Sequence, residues 1–261
     1  MPDTIRLATD PRGVATLTLD RPDKHNAMSG EMIGELTDMA ARLAADETVR
    51  AVILTGAGAS FCAGGDLGWM RAQMTADAAT RAAEARRLAT MLGAWDALPK
   101  PVVARVQGNA FGGGVGLICV ADIAVAADTA RFGLTETRLG LIPATIGPYV
   151  VARLGPAVRQ VFMSSARFGT EDALRLGLIA RAVPPEALDE ATEAEVAPYL
   201  ACAPGAVAEA KALARSLLGA PDAARIETTV DALVRRWESP ESAEGIAAFF
   251  DKRPPAWSDG A

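Results

Sequence analysis

Two stretches of bare backbone are the first candidates for chemistry: "LTGAGASFCAGGDL", Leu54 to Leu67, and "VQGNAFGGGVGL", Val106 to Leu117. Each follows a compact apolar run and opens into a helix-like pattern. The dinucleotide fingerprint G-x-G-x-x-G fails in both, because the sixth position from Gly56 is Phe61 and from Gly112 is Leu117. No Gly-Lys-Ser/Thr follows either turn, so a phosphate-cradling loop is excluded. A glycine turn at a helix start offers close backbone approach and unpaired N–H groups where the helix dipole favours negative charge. Two such turns can converge as two donors on one developing oxyanion. Acid–base work falls to carboxylates: the single histidine, His25, lies in the turn-rich "RPDKHNAMSG" and reads as solvated, which also removes a Ser-His-Asp hydrolase. Cys62, Cys119 and Cys202 are too few and too widely spaced for a zinc set and read as reduced thiols, mostly buried.

The elements that must position these turns are legible around them. "TIRLATD" and "VATLTLD" flank Pro11, Arg12 and Gly13 and predict a hairpin. "AVILTG", "PVVARVQG" and "IAVAA" are short apolar runs bounded by Gly, Pro or Asp, as in strands buried on both faces. Helical stretches long enough for crossover connections separate them. The most regular runs from Thr75 to Leu98, with Leu88, Met91, Leu92, Trp95 and Leu98 forming a core stripe. Beyond Pro184 the strand runs stop. Breaks at Pro204-Gly205, Gly219 to Pro221 and Ser239-Pro240 predict helices around 186–202, 206–218, 222–238 and 241–251. A strand-strand-helix rhythm recurs in the body without a sequence repeat.

Composition bounds the rest. The chain has 261 residues, half of them hydrophobic, with 26 basic and 32 acidic residues interspersed for a net charge of −6. That supports a substantial globular core and argues against nucleic acid as a partner. No basic leader precedes an apolar segment, and no apolar run approaches the ~20 residues that span a bilayer, so a cytoplasmic protein without a membrane partner is expected.

"FCAGGDL", "VQGNAFGGGVGLICVADIAVAA" and "ARFGLTETRLGLIPATIG", in that order, resemble the signature segments of the crotonase, or enoyl-CoA hydratase/isomerase, superfamily. The similarity runs from "LTLDRPDKHNAMSGEM" to "AAFFDKRPPAW" and so covers essentially the whole chain. It implies an α/β fold: a spiral of β-β-α units carrying the acyl-CoA site over residues 1–200, and an α-helical trimerisation region over 201–261, with homotrimers or hexamers expected. The substrate it implies is an acyl-CoA thioester whose coenzyme A is part of the substrate, with no separate cofactor and no metal.

The resemblance also assigns roles. Backbone N–H groups of Ala63 and Gly113 are expected to bind the thioester oxygen as it gains enolate character. Family hydratases carry two glutamates; the second matches Glu136 in "FGLTETRLG", whereas the first falls on Gly116, so Glu136 is the only carboxylate assigned to the reacting centre. Coenzyme A contacts are expected at Lys24 and Ala27, at Ala63, Gly64, Gly65, Asp66 and Leu67, and at Phe249 and Lys252, the last two often from a neighbouring subunit. Asp66 also suits a cap for the helix that starts near Leu67. A single glutamate allows a hydratase or a Δ3-Δ2 enoyl-CoA isomerase, and the missing carboxylate also admits an acyl-CoA-binding protein without catalysis. "AFGGGVGL" and "GGDLGWM" are similar to a bacterial subgroup acting on branched or carboxylated enoyl-CoAs such as 3-methylglutaconyl-CoA, a substrate class tied to branched-chain degradation. For such a substrate Gly116 is expected to open space beside the acyl group, and Arg71 or Arg138 to face its distal carboxylate. Acyl preference is expected to depend on the segment around 67–98.

Overall fold

The computed structural model describes residues 3–258. The predicted hairpin forms from β1 (Ile5–Thr9) and β2 (Val14–Leu19), antiparallel, with Gly13 in the turn at φ +83°. There the backbone comes so close to Thr48 and Arg50 that a methyl group would stand 2.3 Å from the Thr48 carbonyl oxygen. Parallel pairing then adds β3 (Ala51–Gly56), β5 (Val102–Val106), β7 (Ile123–Ala127) and β9 (Arg181–Val183), giving the order β1-β2-β3-β5-β7-β9.

The apolar runs of β3, β5 and β7 are explained by burial of both sheet faces. Val52, Leu54, Val102, Ala104, Ala124 and Ala126 point into the main core. Their alternates Ala51, Val103, Val125 and Ala127 meet Leu188, Ala191 and Val196 of α7 (Leu188–Leu200), which lies across the opposite face.

A second sheet supplies what the sequence did not disclose. β4 (Ser60–Cys62), β6 (Asn109–Phe111) and β8 (Phe132–Gly133) pair in parallel in that order. Each follows one strand of the large sheet: β3 leads to β4, β5 to β6, β7 to β8. The strand-strand-helix rhythm is thus a spiral of β-β-α units, and the ends of three adjacent short strands emerge side by side.

Helices close the units. α1 (Gly30–Ala45), capped by Ser29, follows β2 and buries Met32, Ile33, Leu36, Met39 and Leu43. The predicted helix over Thr75 to Leu98 is α3 (Ala78–Asp96), separated from the preceding α2 (Leu67–Thr75) by Asp77, which caps the start of α3 by accepting from Thr80 N–H. Met91, Leu92 and Trp95 are buried as the stripe predicts, and the Trp95 indole donates to the Leu36 carbonyl at 3.0 Å, tying α3 to α1. α4 (Gly113–Cys119) follows β6, and α5 (Gly147–Leu154) and α6 (Thr170–Arg175) lie between β8 and β9.

The C-terminal helices α8 (Pro204–Leu217), α9 (Ala223–Trp237) and α10 (Pro240–Phe250) fall where the punctuating Pro and Gly residues place them. They fold back on their own chain. Lys211 of α8 pairs with Asp122 at 2.8 Å, Glu227 of α9 with Arg86 at 2.8 Å, and α10 packs so closely on residues 139–140 that a methyl on Gly140 would meet the Glu241 carbonyl oxygen at 2.3 Å. Among the described residues no helix is long and apolar enough to cross a membrane.

Candidate active site

Three segments leave the C-terminal ends of β4, β6 and β8 and meet. The first, Ala63 to Asp66, is held by the loop that links β2 to α1. Met28 N–H donates to the Gly64 carbonyl (2.8 Å) and the Met28 carbonyl accepts from Asp66 N–H (2.9 Å), so the Gly65 N–H points away from Met28. The second, Gly112 to Gly114, begins α4 with N–H groups that have no intrahelical acceptor. Gly64 and Gly112 both take left-handed φ, +96° and +49°, which brings the backbones together: a methyl on Gly64 would stand 3.8 Å from Gly113 N. Among the described residues neither the Gly65 nor the Gly113 N–H donates to any acceptor. Two converging free donors are the oxyanion geometry that the glycine turns predict.

Ala63 is a correction. Its N–H already donates to the His25 carbonyl at 3.0 Å, so it is not free to bind an oxygen of a substrate. The free donor of this turn is two residues on, at Gly65. His25 therefore contributes its backbone, at φ +51°, and its ring Nδ1 lies 3.1 Å from Ser60 Oγ.

Glu136 arrives on the third segment, at the start of the 3₁₀ turn Glu136–Leu139. Its Oε1 lies 3.1 Å from where a methyl on Gly112 would stand, so the carboxyl adjoins the second turn and a side chain on Gly112 would crowd it and be strained at that φ. Its Oε2 is buried with no partner, the one such side-chain atom found among the described residues. Burial, opposed only by a hydrogen bond from its own backbone N–H, pushes its pKa up to about 7. An acid poised near neutrality beside two free N–H groups suits proton transfer in either direction. The turn is fastened behind it: Thr137 Oγ1 lies 2.6 Å from Ser165 Oγ, which also accepts from Arg138 N–H at 3.0 Å. Ser165 is held at φ +53°, a strained position for a residue with a side chain.

The Gly116 position is a second correction. It is not open space: a methyl there would come within 2.6 Å of Ile146 Cγ2 and 3.8 Å of Leu92 Cδ2. The place of the missing carboxylate is an apolar wall.

The coenzyme-side residues are partly gathered. Lys24, exposed, ends a 3₁₀ turn, Pro22–Lys24, of the same loop that carries Ala27, His25 and Met28, so Lys24 and Ala27 neighbour Ala63 to Leu67. Asp66 caps α2 through Gly68 and Trp69 N–H and pairs with Arg21 at 3.0 Å. Burial works against its ionisation, but the Arg21 bond and those two amides outweigh it and hold its pKa below the usual carboxylate range. Leu67 is exposed. Phe249 and Lys252 are exposed at the end of α10; the neighbouring Phe250 ring sits 4.3 Å from the Arg71 guanidinium. Arg71 is thus an outward-facing partner of α10. Arg138 is also exposed.

Arg21 and Asn26 organise this site although their sequence neighbourhood reads only as a turn. Asn26 is fully buried; its side chain accepts from Arg21 N–H (2.9 Å) and donates to the carbonyls of Ala57 and Ser60 (2.8 Å each). It clamps the loop to both ends of the β3–β4 connection. Cys62, sealed beneath the first turn with its thiol pKa pushed up to about 12 by burial, is no nucleophile.

Known proteins are similar to this chain in sequence and fold. The enoyl-CoA hydratase/isomerase family model matches residues 9–260. The 1,2-epoxyphenylacetyl-CoA isomerase of Escherichia coli K12 is 32% identical over 95% of this chain and 95% of its own. The enoyl-CoA hydratase AKT6-1 of Alternaria alternata is 38% identical over 78% of this chain and 67% of its own. Among solved structures, an enoyl-CoA hydratase from Shewanella pealeana superposes with a TM-score of 0.81 at 38% identity, over 98% of this chain and 97% of that one.

Proposed function

The chain belongs to the enoyl-CoA hydratase/isomerase family, the crotonase superfamily, and we propose that it adds water to the double bond of a 2-enoyl-CoA. The observation that carries this reading is the unpartnered Glu136 carboxyl beside the free Gly65 and Gly113 N–H groups. The thioester carbonyl oxygen accepts from both amides, which favours the enolate over the ground state. Ionised Glu136 takes a proton from water as its oxygen bonds to Cβ and the π electrons move toward the thioester. The same carboxyl then returns the proton to Cα, and the enolate collapses to the saturated 3-hydroxyacyl thioester. Lys24, Ala27, Asp66 and Leu67 border the coenzyme A moiety in this scheme, with Phe249 and Lys252 reaching it from α10 or from another copy of the chain in a homotrimer or hexamer.

Double-bond isomerisation is the second reading, and one observation favours it. The wall of Ile146 and Leu92 stands at Gly116, where a second carboxylate would be, and shuttling a proton between two carbons on Glu136 alone needs no held water. Crotonyl-CoA, 3-methylglutaconyl-CoA and a 3-enoyl-CoA separate the two by loss or gain of the conjugated-enoyl absorbance. Loss with either 2-enoyl substrate is the expected result; gain with the 3-enoyl substrate alone rejects hydration. Glu136→Gln is expected to lower turnover on the order of 10²-fold or more with affinity nearly intact. Unchanged turnover would remove Glu136 from the chemistry, and binding of the acyl-CoAs without turnover of any would leave only acyl-CoA binding.

A further inference from the structure

The 3₁₀ turn that carries Glu136 is held at two places. At its far end Arg236 Nε of α9 donates to the Gly140 carbonyl at 2.8 Å, and Leu141 N–H closes back on the Glu136 carbonyl at 3.0 Å. Next to Glu136 itself the grip is made by two hydroxyls. Thr137 Oγ1 donates to the Met163 carbonyl at 3.0 Å. A hydroxyl has one proton, so in the 2.6 Å contact between Thr137 Oγ1 and Ser165 Oγ the donor is Ser165, whose oxygen in turn accepts from Arg138 N–H at 3.0 Å. Arg138 N–H, Ser165, Thr137 and the Met163 carbonyl thus form one directed relay, in which each hydroxyl gives and accepts once and the bonds reinforce one another.

The place of Ser165 is fixed from β8. Phe168 and Phe132 exchange backbone bonds of 2.9 and 3.0 Å, and a methyl on Gly133 would stand 3.3 Å from the Ala166 carbonyl oxygen. Residues 163–168 therefore run along the strand that leads into the Glu136 turn. Within them Ser165 has φ +53°, a conformation that glycine adopts freely and serine does not. A serine in a place that suits glycine contributes the hydroxyl that glycine lacks. The charged side chains of the segments around Glu136 are paired or turned outward: Asp66 pairs with Arg21, Arg236 with Glu241, Arg167 lies 4.9 Å over the Phe111 ring, and Arg138 is exposed.

We infer that Ser165 and Thr137 are positioning residues whose relay holds the Glu136 carboxyl beside the Gly65 and Gly113 N–H groups during proton transfer. They act through Glu136. Loosening the turn lets the carboxyl swing and reach water, which spoils its aim at the substrate and relieves the burial that raises its pKa. This inference rests on the acid–base reading of Glu136 above.

The test measures kcat, KM and the pH profile of kcat/KM for wild type, Ser165→Gly, Thr137→Val and Thr137→Ser, on whichever of crotonyl-CoA, 3-methylglutaconyl-CoA and the 3-enoyl-CoA wild type turns over. Ser165→Gly removes the hydroxyl while easing the backbone, so a loss in this variant comes from the relay and not from strain. The expected result for Ser165→Gly and Thr137→Val is a roughly 10- to 100-fold lower kcat with KM within about 2-fold, and an acid limb displaced from about 7 toward 4.5 by about one pH unit or more. Thr137→Ser, which keeps the hydroxyl, should recover most of the kcat that Thr137→Val loses. Wild-type kcat in Ser165→Gly, a lowered kcat with an unmoved acid limb, or equal losses in Thr137→Ser and Thr137→Val overturns the inference while the acid–base reading stands. If wild type turns over none of these substrates, or Glu136→Gln costs no turnover, it is that reading that fails, and urea unfolding decides the inference. The change in stability that Glu136→Gln causes between pH 5 and pH 8 should then shrink by roughly half or more in the Ser165→Gly background; an undiminished change overturns it.

Discussion

Glu136→Gln tests the electrostatics of the site without any substrate. Burial raises the Glu136 pKa from 4.5 to about 7. A raised carboxyl pKa means that the folded chain holds its proton more tightly than the unfolded one. The resulting stability is fully present below pH 4.5 and is lost as pH rises through 7. At pH 8 the buried carboxylate costs about 3 kcal/mol, and at pH 5 less than about 1 kcal/mol. Glutamine does not titrate, so the variant escapes this loss. It carries its own fixed cost, since one buried amide group replaces an orphaned oxygen, but that cost is independent of pH. The difference between the two pH values is therefore the informative quantity. The stability of Glu136→Gln relative to wild type should be more favourable at pH 8 than at pH 5 by about 2 to 3 kcal/mol, measured by urea unfolding at both. Every other titrating group is common to the two proteins and cancels. A pH-independent difference would mean that Glu136 ionises like a solvated carboxylate, and the acid–base assignment would lose its physical basis.

Turnover should show the same group: kcat/KM is expected to fall below pH 7 along a single ionisation, because the free enzyme needs the carboxylate, and a profile flat down to pH 5 would contradict this. Asn26→Ala should destabilise the fold by about 2 to 4 kcal/mol in denaturant titration, since Arg21 N–H and the Ala57 carbonyl lose their partner while the Ser60 carbonyl keeps a bond from Gln107 at 2.8 Å. A loss under about 1 kcal/mol would show that the loop is held by other contacts. Gly116→Glu, which restores the usual family carboxylate, should cost about 3 kcal/mol or more and fail to raise hydration, because its Cβ meets Ile146 and its charge would enter an apolar wall. A stable, more active variant would show that Ile146 yields readily.

The sequence alone determined the elements whose signal is local. Apolar runs bounded by Gly and Pro located β3, β5 and β7, the Pro11 to Gly13 turn located the hairpin, and Pro and Gly breaks located α7 to α10. The family resemblance placed Glu136 and Gly113 on the candidate site. Tertiary structure decided the rest. β4, β6 and β8 are two or three residues long, too short for any periodicity, yet they bring the three site segments together. Which N–H of "CAGGD" is free depends on pairing with Met28 and His25, more than thirty residues away, and that pairing moves the donor from Ala63 to Gly65. Whether Gly116 leaves a void depends on Ile146, thirty residues on, and Ile146 fills it. A carboxyl's acidity is set by what surrounds it, so a sequence can name Glu136 as the acid, but only the packed fold can bring it near pH 7.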